Sequence, residues 1–450
     1  MALKTTIYSD LEKIVGSDYI SDALHVHWTY SRDFGISPGH LPDVVIKPQF
    51  TNEVQDILRI ANTQKIPVYV RGAGVSYAGG VIPEAGGILL DLTRMNRLLH
   101  MDTNSDSCLV ECCITCGTLM RELEKQGYKL PVFPDSALVA TVGGFLATSG
   151  VGSWGSALYG SIADVVLGLK VVLPNGKRVV TGSGTSPYAK GHFNRYVGMP
   201  DFTGLFIGSE GTLGVMTEIA LRVVPLPEET IYFAYKFKNH QAAERTAIRA
   251  KRKGLHLVSI DIITSLQEPP RLDAIIESNE KTARIEEKIF EEIAQEEGGE
   301  DLGHDIAQRG YEGIFNPGEQ FLQGSRVIIG VIVPLIGIGD YLDMIKQECL
   351  RMSKKYEFPY RFGAFNVLNS WDVYTMFYYN ERDPIEVQKG RKANEELQNL
   401  FIETGGIPTK RGRIWNKFAT QSQAFGLFQT IKSCLDPNNI MSPGVHGLGL

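Results

Sequence analysis

No stretch of this sequence stays apolar long enough to cross a bilayer. The longest apolar run, residues 327–339, contains Pro334 and falls short of the roughly 20 residues a spanning helix needs. It reads as a buried strand followed by a turn. Cysteine is scarce, with six in 450 residues, and residues 1–10 have no apolar core of a secretory signal. A disulfide framework is therefore not expected, and a reducing cytoplasm is. Excess positive charge is also missing: 45 basic against 51 acidic side chains leave a formal charge of −6, which argues against a nucleic-acid partner. Cys113 and Cys116 form a single C-x-x-C pair with no second pair to close a zinc site. With Cys112 they are expected to be core residues on a strand and its end. His25 and His27 alternate without evident partners and read as structural or surface residues. No metal site is expected.

What the chain has in abundance is glycine in three crowded places, 72–87, 143–160 and 204–214, where backbone turns tightly or approaches a ligand. Its length predicts two or three domains. The first 42 residues read as a short helix, Tyr8 to Ile14, and then a loop. Val44 to Ile46 predicts a buried strand, and Thr51 an N-cap for a helix with Val54, Ile57, Leu58 and Ala61 on one face. Further strands are predicted at 67–70, 87–92 and 107–114, with a helix over 118–126. This is a β-α-β rhythm with short connections. Asn175-Gly176 marks a hairpin between 165–174 and 178–181, and another strand covers 215–224. Pro225-Leu226-Pro227 ends the pattern, so boundaries are placed at 1–227, 228–404 and 405–450. The middle part reads as strands at 231–237, 256–263, 327–334, 361–368 and 373–379. Its helices are expected at 241–253, 275–294, 340–355 and 385–404. The acidic face of 275–294, with Ile285, Ile289 and Ile293 opposite, is expected to be solvated. The tail holds one short helix, 423–434.

Four motifs carry chemistry. The first runs from Pro67 to Gly80, PVYVRGAGVSYAGG. A strand enters a glycine-rich turn whose backbone N–H groups can converge on diphosphate oxygens. It is not the G-x-G-x-x-G fingerprint that opens directly into a helix, because a strand follows. The second motif joins Pro134-Asp135 to Thr141-Val142-Gly143-Gly144 and Ala147-Thr148-Ser149-Gly150. The third runs from Gly208 to Thr217, GSEGTLGVMT. The fourth runs from Leu435 to Gly444, LDPNNIMSPG.

In this order and at these separations, the motifs resemble those of the vanillyl-alcohol oxidase/p-cresol methylhydroxylase superfamily of FAD-linked oxidases, which includes glycolate oxidase subunit and D-lactate dehydrogenase branches. The resemblance is strong over 40–227 and 405–447 and weaker between. It implies an α+β chain: a two-lobed α/β FAD-binding domain, an α+β cap over 228–404, and a C-terminal segment returning to the first domain. It also implies that Arg71, Gly72, Ala73, Gly74, Val75 and Ser76 form the diphosphate turn. Pro134, Asp135, Thr141, Gly144, Ser149, Gly150, Glu210 and Val215 would line the cofactor. Ser149 and Ser442 stand where many members carry Asn. Val75 occupies the place of a His that links FAD covalently in some members, so non-covalent FAD is expected.

The substrate side departs from the family. Residues 405–413 read GGIPTKRGR and residues 362–369 read FGAFNVLN. Neither holds the His with which the hydroxy-acid branches bind a metal and a carboxylate. Thr409-Lys410 keeps the cation of the phenol-oxidising branch and loses its Tyr. Lys410 and Arg411 are the candidates for binding an anion or stabilising charge on a reduced flavin, with Asn366, Tyr374 and Tyr378 on the cap strands. The implied activity is hydride transfer from a small hydroxy compound (hydroxy acid, alcohol or phenol) to flavin N5. One alternative is an electron-transfer subunit with an iron–sulfur or flavoprotein partner, since this chain has no cluster-binding cysteine set of its own. The other is a non-redox synthase on the same fold, whose His-rich C-terminal site is missing. A homodimer is also admitted.

Overall fold

A computed structural model of the chain describes residues 4–315, 325–410 and 412–449. The first sheet is built from three parallel strands, Val44–Ile46, Ile88–Asp91 and Val68–Arg71, with Ile20–Ser21 antiparallel at the edge. The three strands are short and almost wholly apolar, as expected where both faces are covered. Helix Thr51–Gln64 lies on this sheet through Val54, Ile57, Leu58 and Ala61. Phe50, not Thr51, occupies its N-cap position, and Glu53 accepts from the Phe50 N–H.

The second sheet is antiparallel, in the order Leu98–Asp102, Ser107–Glu111, Val215–Arg222, Val166–Val172, Arg178–Val180. One core spans both sheets and takes in Ile440 and Met441 from the end of the chain. The tail is fixed there by backbone bonds on either side of Val68. The Val68 N–H donates to the Ile440 carbonyl at 2.7 Å, and the Ser442 N–H donates to the Val68 carbonyl at 2.8 Å.

The third sheet has eight strands. Their order is Glu300–Asp301, Glu229–Lys236, Arg271–Ser278, Leu257–Thr264, Tyr360–Val367, Ser370–Tyr379, Ser325–Pro334, Ile407–Pro408. Alternation sorts its side chains cleanly. Phe233, Leu272, Ile262, Ala364, Val373 and Val331 share one face and pack under helices His240–Arg252, Glu280–Glu296, Ile338–Tyr356 and Pro384–Glu403. The other face carries Asp273, Asp261, Phe365, Asp372 and Ile332 in one cross-strand row, with Tyr374 and Tyr378 further along. This polar face turns toward the first two sheets. Ser259 Oγ donates to the Ser153 carbonyl, Ser156 Oγ to the Asn366 carbonyl, and Lys129 pairs with Glu277.

Other sequence readings change as well. Residues 271–278 form a strand, and the acidic helix begins only after Asn279, whose side chain caps the Thr282 N–H. On that helix Phe290 and Ile293 are buried while Ile285 faces solvent. Residues 24–30, read as loop, form a short helix.

Candidate functional site

Strand Val68–Arg71 ends in the glycine-rich turn, and a cleft opens where it does. It encloses about 980 Å³, open solvent at its mouth included. A ligand site at the carboxyl ends of parallel strands is the usual outcome of this topology. The walls are Gly72 to Ser76, Pro134, Thr141, Gly143 and Gly144, Glu210 and Gly211, and at one end Lys410. The turn and the 141–144 loop touch closely: a Cβ on Gly72 would sit 2.4 Å from Thr141 Oγ1. Thr141 Oγ1 accepts from the Gly144 N–H at 3.2 Å and so fixes the start of helix Val142–Ala147. Gly74 has φ +71°, a conformation that costs glycine little and other residues more.

Ser149, Glu210 and Ser442, one from each of three motifs, also adopt positive φ. Strained non-glycine backbone of this kind gathers at functional sites. Ser442 Oγ is buried without a hydrogen-bond partner among the described residues, and it lies 3.3 Å from where a Cβ on Gly211 would be. A glycine-walled cleft with an unsatisfied hydroxyl behind it fits an elongated, phosphate-bearing dinucleotide.

Other sequence candidates lie off this wall. The Arg71 guanidinium folds back over Gly74, donates to the Arg32 carbonyl at 2.9 Å and stacks on the Tyr30 ring. Asp135 follows the wall residue Pro134, and its charge is felt by Lys410 and Tyr374. Gly150 leaves room for the Phe145 ring, which a Cβ there would meet at 2.1 Å. Ser149 packs beside Gly208. Val215 is fully buried on its strand. Cys112 and Cys113, expected in the core, are buried but stand on the cleft wall with their sulfurs 3.9 Å apart. The bond to Cys112, together with burial, pushes the Cys113 thiol well above its ordinary range.

Lys410 stands where the cleft meets the polar face of the third sheet. Its Nζ lies 4.5 Å from the centre of the Tyr77 ring. Burial lowers its pKa, while the charges of Asp372, Asp135 and Glu210 oppose that shift. The preceding residue, Thr409, bonds through its N–H to the Gly330 carbonyl and through Oγ1 to Asp372 Oδ1 at 2.9 Å. Arg411 lies outside the described residues.

Tyr378 is on the polar face but six residues along the strand from Asp372. It pairs with Arg326, stacks under Arg361, and donates to Met376 Sδ. Asn366 does not join them. It sits opposite Trp371 on the helix-packed face, fully buried, with Nδ2 donating to the Ser370 carbonyl. Sequence reasoning passed over Asp372, Tyr77 and Arg326. The signal for Asp372 was the period-2 pattern Asp372, Tyr374, Met376, Tyr378 against Trp371, Val373, Thr375, Phe377. Among the described residues, no group of three or more His, Cys, Asp or Glu side chains is arranged to hold a metal ion, and no helix is long and apolar enough to cross a membrane.

Fold and cleft together define a dinucleotide-binding domain roofed by a sheet-and-helix cap, and the comparisons specify it. Residues 42–182 match the family model described as an FAD binding domain. The chain is 28% identical over 437 residues to the mitochondrial D-lactate dehydrogenase [cytochrome] of Arabidopsis thaliana, covering 90% of this chain and 73% of that protein. It is 32% identical over 240 residues to glycolate oxidase subunit GlcD of Bacillus subtilis (strain 168), covering 53% of this chain and only 49% of the relative. The solved structure of 4-ethylphenol oxidase from Gulosibacter chungangensis superposes with a TM-score of 0.85 at 19% identity, over 98% of this chain and 97% of that one. Residues 42–182 are thus an FAD-binding domain, FAD is the cofactor, and the chain as a whole has the fold of the 4-ethylphenol oxidase structure.

Proposed function

We propose that this protein is an oxidoreductase that removes a hydride from the carbinol carbon of a small hydroxy compound bearing an anionic group, with Lys410 holding that group. The observation that carries this reading is the position of Lys410, a cation on the wall of the cofactor cleft and beside the polar face of the cap. When bound, FAD supplies the two-electron acceptor for the hydride. The chain's part is to bind and orient. Arg71 to Ser76 with Thr141 and Gly144 would hold the diphosphate. Pro134, Asp135, Ser149, Gly150, Glu210 and Val215 would complete the surroundings of the cofactor. Val75 offers no nucleophile, which supports non-covalent FAD. A lysine ammonium in a site shielded from water by Tyr77 and the cap sheet attracts an anion far more strongly than it would in bulk water.

The names of the two relatives, a D-lactate dehydrogenase and a glycolate oxidase subunit, refer to 2-hydroxy acids, which carry such a group. The word subunit in the second name supports a further reading, an electron-accepting protein partner. The test is anaerobic mixing with a panel of hydroxy acids, alcohols and phenols, followed by air. Hydroxy acids are expected to bleach the flavin. Bleaching by phenols alone would refute the proposal, and recolouring in air identifies oxygen as an acceptor.

A further inference from the structure

We infer that Asp372 is the proton acceptor of this oxidation, taking the substrate's O–H proton while Lys410 holds the anionic end. The inference rests on the reading of the site given above and adds a residue that reading leaves unassigned. Asp372 is 4% exposed and sits between Trp371 and Val373, which point into the helix-packed core. Among the described residues it makes no ion pair within 4.0 Å. Its one hydrogen bond there is accepted by Oδ1 from Thr409, which leaves Oδ2 uncommitted. A carboxylate this buried, without a cation bonded to it, contributes nothing evident to stability.

The surroundings are shaped for it. The facing strand has Gly330, where a Cβ would lie 3.0 Å from Asp372 Oδ1 and 2.9 Å from Thr409 Oγ1. The charged and titratable groups that act on it are Lys410 and Tyr77; Lys410 in turn feels Asp135, Glu210 and Arg326, and Tyr374 lies two residues along the same strand face. Burial outweighs the Thr409 bond and the Lys410 charge, and pushes the Asp372 carboxyl up to about 7. A general base is most effective with a pKa near the working pH. The other acids on this face are unsuited. Asp273 is clamped by Arg271 through two bonds of 2.8 Å. Asp261 is pushed well above the usual carboxylate range by burial and by the neighbouring charges of Asp273 and Asp135, and its side chain is already engaged by Ser259 Oγ. Burial also raises the Tyr77 and Tyr374 phenols far out of range.

In the step, the substrate O–H bond breaks and its proton goes to Asp372. The C–H bond breaks, and bound FAD would supply the two-electron acceptor for its hydrogen. The C–O bond becomes a carbonyl, so the hydroxy compound departs oxidised by two electrons.

The test is Asp372→Asn, which keeps an acceptor for Thr409, with Asp372→Glu beside it. Glycolate and D-lactate serve as probes in anaerobic rapid mixing from about pH 5 to about pH 9. Wild-type flavin reduction is expected to rise through an inflection near neutrality. Asp372→Asn should lose that inflection and slow by about 10²–10⁴-fold, with FAD content and oxalate binding little changed, while Asp372→Glu recovers part of the rate. An independent readout is the thermal stability of the FAD-free protein. Because the folded carboxyl titrates higher than the unfolded one, wild type should lose stability relative to Asp372→Asn as pH rises from about 4 to about 7. Unchanged reduction with the wild-type inflection would overturn the assignment. So would a variant that cannot bind FAD, which would make Asp372 structural. Failure of every hydroxy compound to reduce wild type would instead overturn the reading of the site itself.

Discussion

Replacing Lys410 by methionine removes a charge while keeping most of the aliphatic stem. The lost stabilisation has two parts. The ammonium over the Tyr77 ring, 4.5 Å from its centre, contributes about 0.5–2 kcal/mol as a cation–π contact. Its larger part is reserved for the anionic end of the substrate or for charge on the reduced ring. Lost oxyanion donors give a scale of about 2–4 kcal/mol for that, or roughly a thirty- to thousand-fold slower flavin reduction. A second effect follows from the electrostatics. Lys410 is a charge that pulls Asp372 down toward about 7, so its removal should move the inflection of the pH–rate profile to higher pH. The assay is anaerobic rapid mixing of FAD-loaded Lys410→Met with glycolate or D-lactate across pH. Wild-type rates with an unmoved inflection would return Lys410 to the category of a lysine that only lines the cleft.

Three further outcomes are expected. Denaturation should release yellow FAD into the supernatant, because Val75 offers no atom for a covalent link; flavin retained on the precipitated chain would contradict this. Gly74→Val should leave secondary structure intact by circular dichroism but abolish stoichiometric FAD, since φ is +71° there and a Cβ would lie 2.2 Å from Arg71 Nη2; a fully loaded variant would show that the turn does not hold the cofactor. Lys432→Met should destabilise the protein by about 3–5 kcal/mol in denaturant titration, because buried Lys432 donates to Asp436, to the Thr212 carbonyl and to the Met441 carbonyl; a change below about 1 kcal/mol would refute that role.

The cofactor half of the molecule was legible in the sequence because its demands fall on backbone. Gly72 must be glycine for the turn and the 141–144 loop to meet, and Gly74 for its positive φ and the Arg71 guanidinium folded over it, and such requirements leave ordered motifs. The substrate half was less legible because it depends on which face of a strand points where. Asn366 and Asp372 are equally polar in sequence, yet register puts Asn366 beside Trp371 under the helices and Asp372 on the opposite, polar face, where it meets Thr409. Residues 275–278 were read into the following helix because Ile275 and Ile276 extend its apolar pattern backward, and only the Asn279 cap marks the true start. Lys410 was singled out from its place after the last cap helix. Its partner Thr409–Asp372 bond joins residues 37 apart, which no local pattern signals.

The central claim, an anion-directed oxidation beside the flavin, is tested most directly by matched substrates. Wild-type protein is mixed anaerobically with glycolate and, separately, with ethylene glycol, which has the same carbinol group and no carboxylate. Bleaching of the flavin by glycolate at a rate at least tens of times higher, with the difference largely erased in Lys410→Met, is the predicted result. Equal rates for the two compounds, or a preference that survives the loss of Lys410, would contradict it.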